Sequence, residues 1–174
     1  MSISYYSVAV TSPDEEHRQR QVEASAALQA AGDPVLDAIV VKAKQVANTQ
    51  MAGIPIASQD WLYFIAATGL PTGPYRRQSS FCDHALSSEE PTFIVLDAGL
   101  DDRFVGNPFV EDGTLRSYAG VQLFSEQLPI GMLCVFDPEP RAELSPATTA
   151  ELARLAFQTA ERLRDLSMSH QAVE

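Results

Sequence analysis

Between Arg103 and Asp137 the chain reads RFVGNPFVEDGTLRSYAGVQLFSEQLPIGMLCVFD. Two apolar runs in it, Tyr118–Leu123 and Ile130–Phe136, are separated by the polar break Ser125-Glu126-Gln127. Apolar runs of strand length around so short a break predict a β-hairpin. Asn107-Pro108 and Asp112-Gly113 mark turns just upstream, since these pairs favour turn conformations. A turn-rich loop carrying Arg103, Asn107 and Arg116 therefore leads into two adjacent buried strands.

The rest of the chain supplies helices and further strands. Ser12-Pro13-Asp14-Glu15 reads as a helix start, with Ser12 as cap and Glu15 closing a capping box. This helix is expected to run to Ala31 and stop at Gly32. Asp33-Pro34 opens a second helix, on which Leu36, Ile39, Val40, Ala43 and Ala47 form one apolar stripe. Ile54–Ala57 and Trp61–Ala67 read as a hairpin around Ser58-Gln59-Asp60. Both faces of the second run are apolar, which predicts a strand covered on both sides. Gly69 to Pro74 reads as a loop, Ser80–Leu86 as a short helix, and Phe93–Leu96 as a strand buried on both faces. Ser145-Pro146 opens the last helix, expected to end near Ser167. It carries two stripes: Leu152, Leu155, Thr159, Leu163 and Leu166, and, rotated from them, Ala153, Phe157 and Ala160. One stripe can face a sheet and the other calls for a second partner. This order lacks a regular βαβ alternation and predicts an α+β fold with an antiparallel sheet.

Charge and cysteine content exclude several roles. The 174 residues carry 12 basic and 23 acidic side chains, a net charge of −11. The longest basic cluster is Arg76-Arg77, so neither nucleic acid nor an anionic membrane is an expected partner. No apolar run approaches the ~20 residues that span a bilayer, and MSISYYSVAV lacks the features of a signal peptide. Two cysteines, Cys82 and Cys134, are too few for a disulfide framework. The expected location is cytoplasmic, with both thiols reduced.

No catalytic constellation emerges. There is no P-loop and no GxGxxG. His17 and His170 fall in polar terminal helices, while His84 lies two residues from Cys82. A Cys/His pair can bind metal or act as a nucleophile, but no further ligand stands at suitable spacing, so no metal site is expected. Cys82 reads either as a helix-start thiolate or as a small buried hydrophobe. Cys134 alternates with Met132 and Phe136 and reads as core or pocket wall. Asp97 and Asp101 can cap backbone amides, and Arg103 and Arg116 can hold the loop by salt bridges. Arg103, Asn107 and Arg116 could instead offer donors to an anionic ligand. Tyr118, Gly120 and Gln122 share one strand face, and a buried Gln122 needs a partner, either a ligand or an internal group.

Four segments, in order between Ser80 and Ser145, resemble the GAF sensory domains of bacterial signalling proteins. SFCDHAL at Ser80–Leu86 is similar to SFC-x-x-A-I. VLDAGLDDRFVGNPFV at Val95–Val110 is similar to V-x-D-A-x-x-D-x-R-F-x-x-N-P-x-V. LRSYAGVQL at Leu115–Leu123 is similar to I-R-F-Y-A-G-x-P-L, with Ser117 and Gln122 departing from the family's Phe and Pro. IGMLCVFDPEPRAELS at Ile130–Ser145 is similar to G-T-L-C-V-x-D-x-x-P-R-x-L-S. The resemblance implies a central antiparallel sheet of about six strands, with terminal helices on one face. Loops and short helices would enclose a pocket on the other. The cyclic-nucleotide signature NKxFxxxDE, the Cys-His dipeptide that anchors bilin and the cysteine pattern of the methionine-sulfoxide reductases are all absent. No particular cofactor is therefore implied.

The expected organisation is an extension at residues 1–11, a signalling and dimerisation helix at 12–32, the GAF domain at 33–167 and a tail at 168–174. The resemblance implies a small-molecule sensor rather than an enzyme. The candidate pocket residues are Tyr63, Phe81, Cys82, His84, Asp97, Arg103, Asn107, Tyr118 and Gln122. Binding would close the Gly69–Gln78 and Asp97–Arg116 loops and act on terminal helices that pair in a homodimer. No output-domain signature is present, so the output partner would be another protein or domain. Two other readings stand beside this one: a ligand-free dimerisation scaffold, and a small redox enzyme using Cys82. The latter is disfavoured because no resolving cysteine lies nearby in sequence.

Overall fold

Among the described residues, six strands form one antiparallel sheet in the order β3-β2-β1-β6-β5-β4. They are β1 (Met51–Ser58), β2 (Trp61–Thr68), β3 (Pro74–Arg76), β4 (Thr92–Val95), β5 (Ser117–Ser125) and β6 (Leu128–Asp137). The structure, a computed structural model, describes residues 6–71 and 73–173. The hairpin expected around Ser125-Glu126-Gln127 is β5–β6, with Ser125 paired to Leu128 and Glu126 at positive φ. Its two strands, with β1, make the buried centre of the sheet.

On one face lie α1 (Glu15–Ala24), α2 (Pro34–Ala47) and α5 (Pro146–Gln171). The α2 stripe of Leu36, Ile39, Val40, Ala43 and Ala47 is buried against Ile54, Ile56 and Leu133 in one apolar core. Asp33 caps α2 by accepting from the amides of Val35 and Leu36, and it also accepts from Arg162 on α5 at 2.7 Å. One carboxylate thus fixes both a helix start and a helix–helix contact. On α5, Leu152, Leu155, Thr159 and Leu163 are buried, whereas Phe157 of the second stripe is 64% exposed.

The other face carries a second core and two short helices, α3 (Phe81–Leu86) and α4 (Pro108–Glu111). Ser80 caps α3 through the Asp83 amide, and Asn107 caps α4 through the Phe109 amide. This is the side on which a pocket was expected.

Several expectations are corrected. The first helix does not run from Ser12 to Ala31. α1 ends at Ala24, Ala26 turns at positive φ, and a 3-10 turn spans Ala27–Ala30. The capping box is not formed: the Ser12 hydroxyl accepts from the Asp14 amide rather than from that of Glu15, and the Glu15 side chain is drawn away by two arginines. The GLPTGP loop ends in a strand, because Pro74–Arg76 pairs with Trp61–Tyr63 as β3. β4 is an edge strand with Ile94 exposed, so it is not buried on both faces. β2 is likewise covered on one side only at Tyr63, which is exposed. A bulge between Ile54 and Pro55 leaves Ile65 unpaired on β2. It reverses the facing of β2, so Leu62 and Phe64 join the second core while Ile65 and Ala66 join the helix-side core. α5 continues past Ser167 to Gln171.

Candidate functional site

Between the sheet and the α3–α4 layer lies a cavity of about 290 Å³. Its floor is Met51, Leu62, Phe64, Tyr118 and Phe136 from the strands. Phe81 and Cys82 of α3 form one wall, and Phe109, Leu115 and Thr114 form another. Leu70 and Pro71 sit at the rim, with Asp112 opposite. The bulge at Ile54/Pro55 matters here, because it aims Leu62 and Phe64 into this space.

Among the described residues, the buried polar side-chain atoms around the cavity already have partners. The Ser80 hydroxyl accepts from the Asp83 amide and donates to the Arg77 carbonyl. The Tyr75 hydroxyl donates to the Pro71 carbonyl at 2.6 Å. Asp112 accepts from the Thr114 amide, and hydrogen bonds from Thr114 pull its pKa below the usual carboxylate value. The Tyr118 hydroxyl donates to Cys82 Sγ at 3.4 Å, Cys82 Sγ lies 3.9 Å from Cys134 Sγ, and Cys134 donates to the Gly53 carbonyl at 3.5 Å. Burial, reinforced by the neighbouring thiols, pushes the Tyr118 phenol well up, and burial likewise raises the Cys134 thiol. Both are neutral at physiological pH. Among the described residues no lysine or arginine lines the cavity, and its one carboxylate, Asp112, stays at the solvent-exposed rim, so the interior suits an uncharged, largely apolar occupant. An engineered cavity of ~150 Å³ takes benzene, so this volume fits a molecule of one or two rings.

Gly120 is what lets Tyr118 reach its position. A Cβ at Gly120 would stand 2.5 Å from the Tyr118 hydroxyl oxygen. The ring thus lies along the sheet over its second neighbour and closes the floor.

Of the nine sequence candidates, Phe81, Cys82 and Tyr118 line the cavity. The other six lie elsewhere. Tyr63 is exposed beside the edge strand β3. His84 donates from Nε2 to the Ser7 carbonyl and packs edge-on against Phe104. Asp97 caps Gly99 and is gripped by Arg116 at 2.6 Å. Arg103 pairs with Asp101 and covers the rings of Phe93 and Phe104. Asn107, besides capping α4, donates from Nδ2 to the Ser79 carbonyl. Gln122 is satisfied internally, donating from Nε2 to the carbonyls of Ala85, Leu86 and Ser88 at the end of α3. Of these, Asn107 ties α4 to the segment before α3, Gln122 ties β5 to the end of α3, and Asp97 ties the loop after β4 to Arg116. The lining residues not picked out from the sequence are mostly apolar, Leu62, Phe64, Leu70, Phe109 and Leu115 among them, with Ser80, Asp112 and Thr114 as polar exceptions; only the shared parity of Leu62 and Phe64 hinted at a common face.

A buried ionic cluster adjoins the cavity wall. Arg77 precedes the cavity residues Ser80–Cys82 and pairs with Glu15 of α1 at 2.6 Å and Asp83 of α3 at 2.8 Å. Arg18 of α1, 2% exposed, also pairs with Glu15 and donates to the Ala57 carbonyl. Burial works to raise the Glu15 pKa, but hydrogen bonds from Arg18 and Arg77 prevail and hold it at about 2. Among the described residues, no group of three His, Cys, Asp or Glu side chains could hold a metal ion, and no helix is long and apolar enough to cross a membrane.

The family model of the GAF domain matches residues 32–163. The chain belongs to the GAF domain family. The GAF chain is 36% identical over 157 residues to a cyclic di-GMP phosphodiesterase of Pseudomonas aeruginosa, covering 88% of this chain but only 27% of that protein. The chain thus spans about a quarter of the length of that curated relative. Among solved structures, it is similar to the GAF domain of an Acinetobacter phosphoenolpyruvate-protein phosphotransferase, with a TM-score of 0.62 and 18% identity over 94% of this chain and 98% of that one. It is also similar to the free methionine-R-sulfoxide reductase of Neisseria meningitidis, solved with its substrate, with a TM-score of 0.61 and 17% identity over 97% and 99% of the two chains. At these identities the likeness concerns the fold.

Proposed function

We propose that this GAF domain is a sensory module that holds an uncharged, largely apolar small molecule in the 290 Å³ cavity. Its occupancy would be passed to the terminal helices. The observation that carries this reading is the cavity itself, walled by apolar side chains whose polar neighbours are already hydrogen-bonded. Arg77 provides the route outward. It stands three residues before the wall residue Ser80, whose hydroxyl donates to its carbonyl, and grips Glu15 on α1 and Asp83 on α3. A ligand that reorders Ser80–Cys82 therefore acts on α1 through a buried ion pair. It can shift the balance between two arrangements only by binding one better than the other.

On this reading the domain regulates rather than catalyses and works in the cytoplasm. Its partners would be a second copy, packed through the exposed Phe157 stripe of α5, and a signalling output module. The similarity to the Pseudomonas phosphodiesterase suggests an output in cyclic di-GMP turnover. Phe157 also favours a second reading, a ligand-free dimerisation scaffold.

Native mass spectrometry, repeated after denaturation, separates the two. The sensor reading expects a mass excess in the native spectrum alone, abolished by Leu115→Trp, which fills the cavity. A dimer with no excess, whose spectrum is unchanged by Leu115→Trp and by added one- and two-ring compounds, would replace the sensor with the scaffold.

A further inference from the structure

The redox reading of Cys82 was disfavoured for want of a neighbouring cysteine in sequence, yet the fold supplies one. Cys134, 52 residues away, sits with its Sγ 3.9 Å from that of Cys82. We propose that Cys82 and Cys134 form an oxidisable dithiol at the floor of the cavity, converted by a small hydroperoxide into an intrachain disulfide.

Three observations carry this. First, the two sulfurs are in contact, and both thiols are free. A disulfide requires about 2.05 Å between sulfurs, so they must close by roughly 1.9 Å from 3.9 Å. Cys134 lies in the central strand β6, whereas Cys82 lies on the six-residue helix α3, so α3 is the part that can move. Second, access is asymmetric. Cys82 lines the cavity and Cys134 is fully buried behind it, so an oxidant small enough to enter meets Cys82 first. Third, the hydrogen-bond chain runs one way: Tyr118 O–H to Cys82, Cys82 S–H to Cys134, Cys134 S–H to the Gly53 carbonyl. Tyr118 and Gly53 thus hold the two sulfurs against each other from either end of the chain.

The chemistry balances in two steps. Cys82 sulfur attacks the terminal peroxide oxygen and the O–O bond breaks. The thiol proton goes to the departing oxygen, giving the alcohol (or water, from hydrogen peroxide) and a Cys82 sulfenic acid. The Cys134 sulfur then attacks the Cys82 sulfur. The S–O bond breaks, and the Cys134 proton leaves with the hydroxide as water. Two thiols are oxidised and one peroxide is reduced. Because α3 carries Phe81 and Asp83, closing this bond moves one cavity wall and the partner of Arg77. The proposal uses the cavity only as a path for the oxidant and stands whether or not another ligand occupies it.

The test exposes the folded full chain to hydrogen peroxide, quenches with N-ethylmaleimide in denaturant, and reads intact mass and a non-reducing peptide map. The wild type is expected to lose two hydrogens, to lose both alkylatable thiols and to yield a Cys82–Cys134 cross-linked peptide that dithiothreitol releases. Cys134→Ser is expected to stop at a sulfenic acid on Cys82 that dimedone traps. Cys82→Ser is expected to keep Cys134 alkylatable under the same exposure. The wild-type map decides alone if either variant fails to fold. Retention of both thiols, oxidation only to sulfinic acid, or cross-links only between chains would overturn the proposal.

Discussion

Gln122 is buried in β5, and its side-chain amide gathers three carbonyls at the end of α3. The sequence made clear that a buried glutamine needs partners. It could not name them, because they lie 34 to 37 residues away and are backbone atoms. Leaving such groups without a partner costs about 1–3 kcal/mol. Gln122→Leu is therefore expected to lower unfolding stability by about that much in urea, with α3 amides exchanging faster. Gly120 was legible only as part of a motif, whereas its role depends on the Tyr118 ring lying over it. With Tyr118 fully buried, a methyl there cannot be accommodated cheaply. Gly120→Ala is expected to cost about 1–3 kcal/mol and to displace the Tyr118 ring, read from the stability curve and from the shift of the phenol resonance.

Among the elements, α1 departs furthest from the sequence reading. Ser12, Pro13 and Glu15 have the spacing of a capping box, a local pattern. Glu15 is nevertheless taken by Arg18 and by Arg77, the latter 62 residues away. Two positive partners outweigh a single backbone amide at a partly buried site. By contrast, α2 and the β5–β6 hairpin were legible because periodicity, capping and turn residues agree there, and long-range contacts only confirm them. The Ile54/Pro55 bulge was not legible, and it decides that Leu62 and Phe64, rather than Tyr63, face the cavity. The ion-pair cluster has a pH signature. The Glu15 pKa is held at about 2 against an ordinary 4.5, so its contribution to stability is present above about pH 4.5 and lost as pH falls toward 2. Protection factors of the α1 amides, relative to intrinsic exchange at each pH, are expected to fall across that window. In Glu15→Gln the acid-dependent part of that fall disappears, and protection is already lower at pH 7.

For the whole molecule, the two faces of the sheet divide the work. One buries α1, α2 and α5, and the other holds the cavity beneath α3 and α4. The α+β class and the pocket side were legible from element order and family-like segments. The chemistry of the pocket was not, since most polar residues that stand out in the sequence make contacts elsewhere and the lining is largely apolar. The outer stripe of α5 remains open, with Phe157 64% exposed. Phe157→Glu is expected to turn a dimer into a monomer in sedimentation, with little change in melting temperature. A wild-type monomer at all concentrations would remove the dimer from this account. The cavity itself is tested most directly by methyl NMR, titrating the protein with uncharged one- and two-ring aromatic compounds. The account expects saturable shifts at Met51, Leu62, Leu70 and Leu115, an accompanying shift at Val22 of α1, and loss of all of these in Leu115→Trp. Cavity methyls that stay still across the panel, or that respond equally in Leu115→Trp, would contradict it.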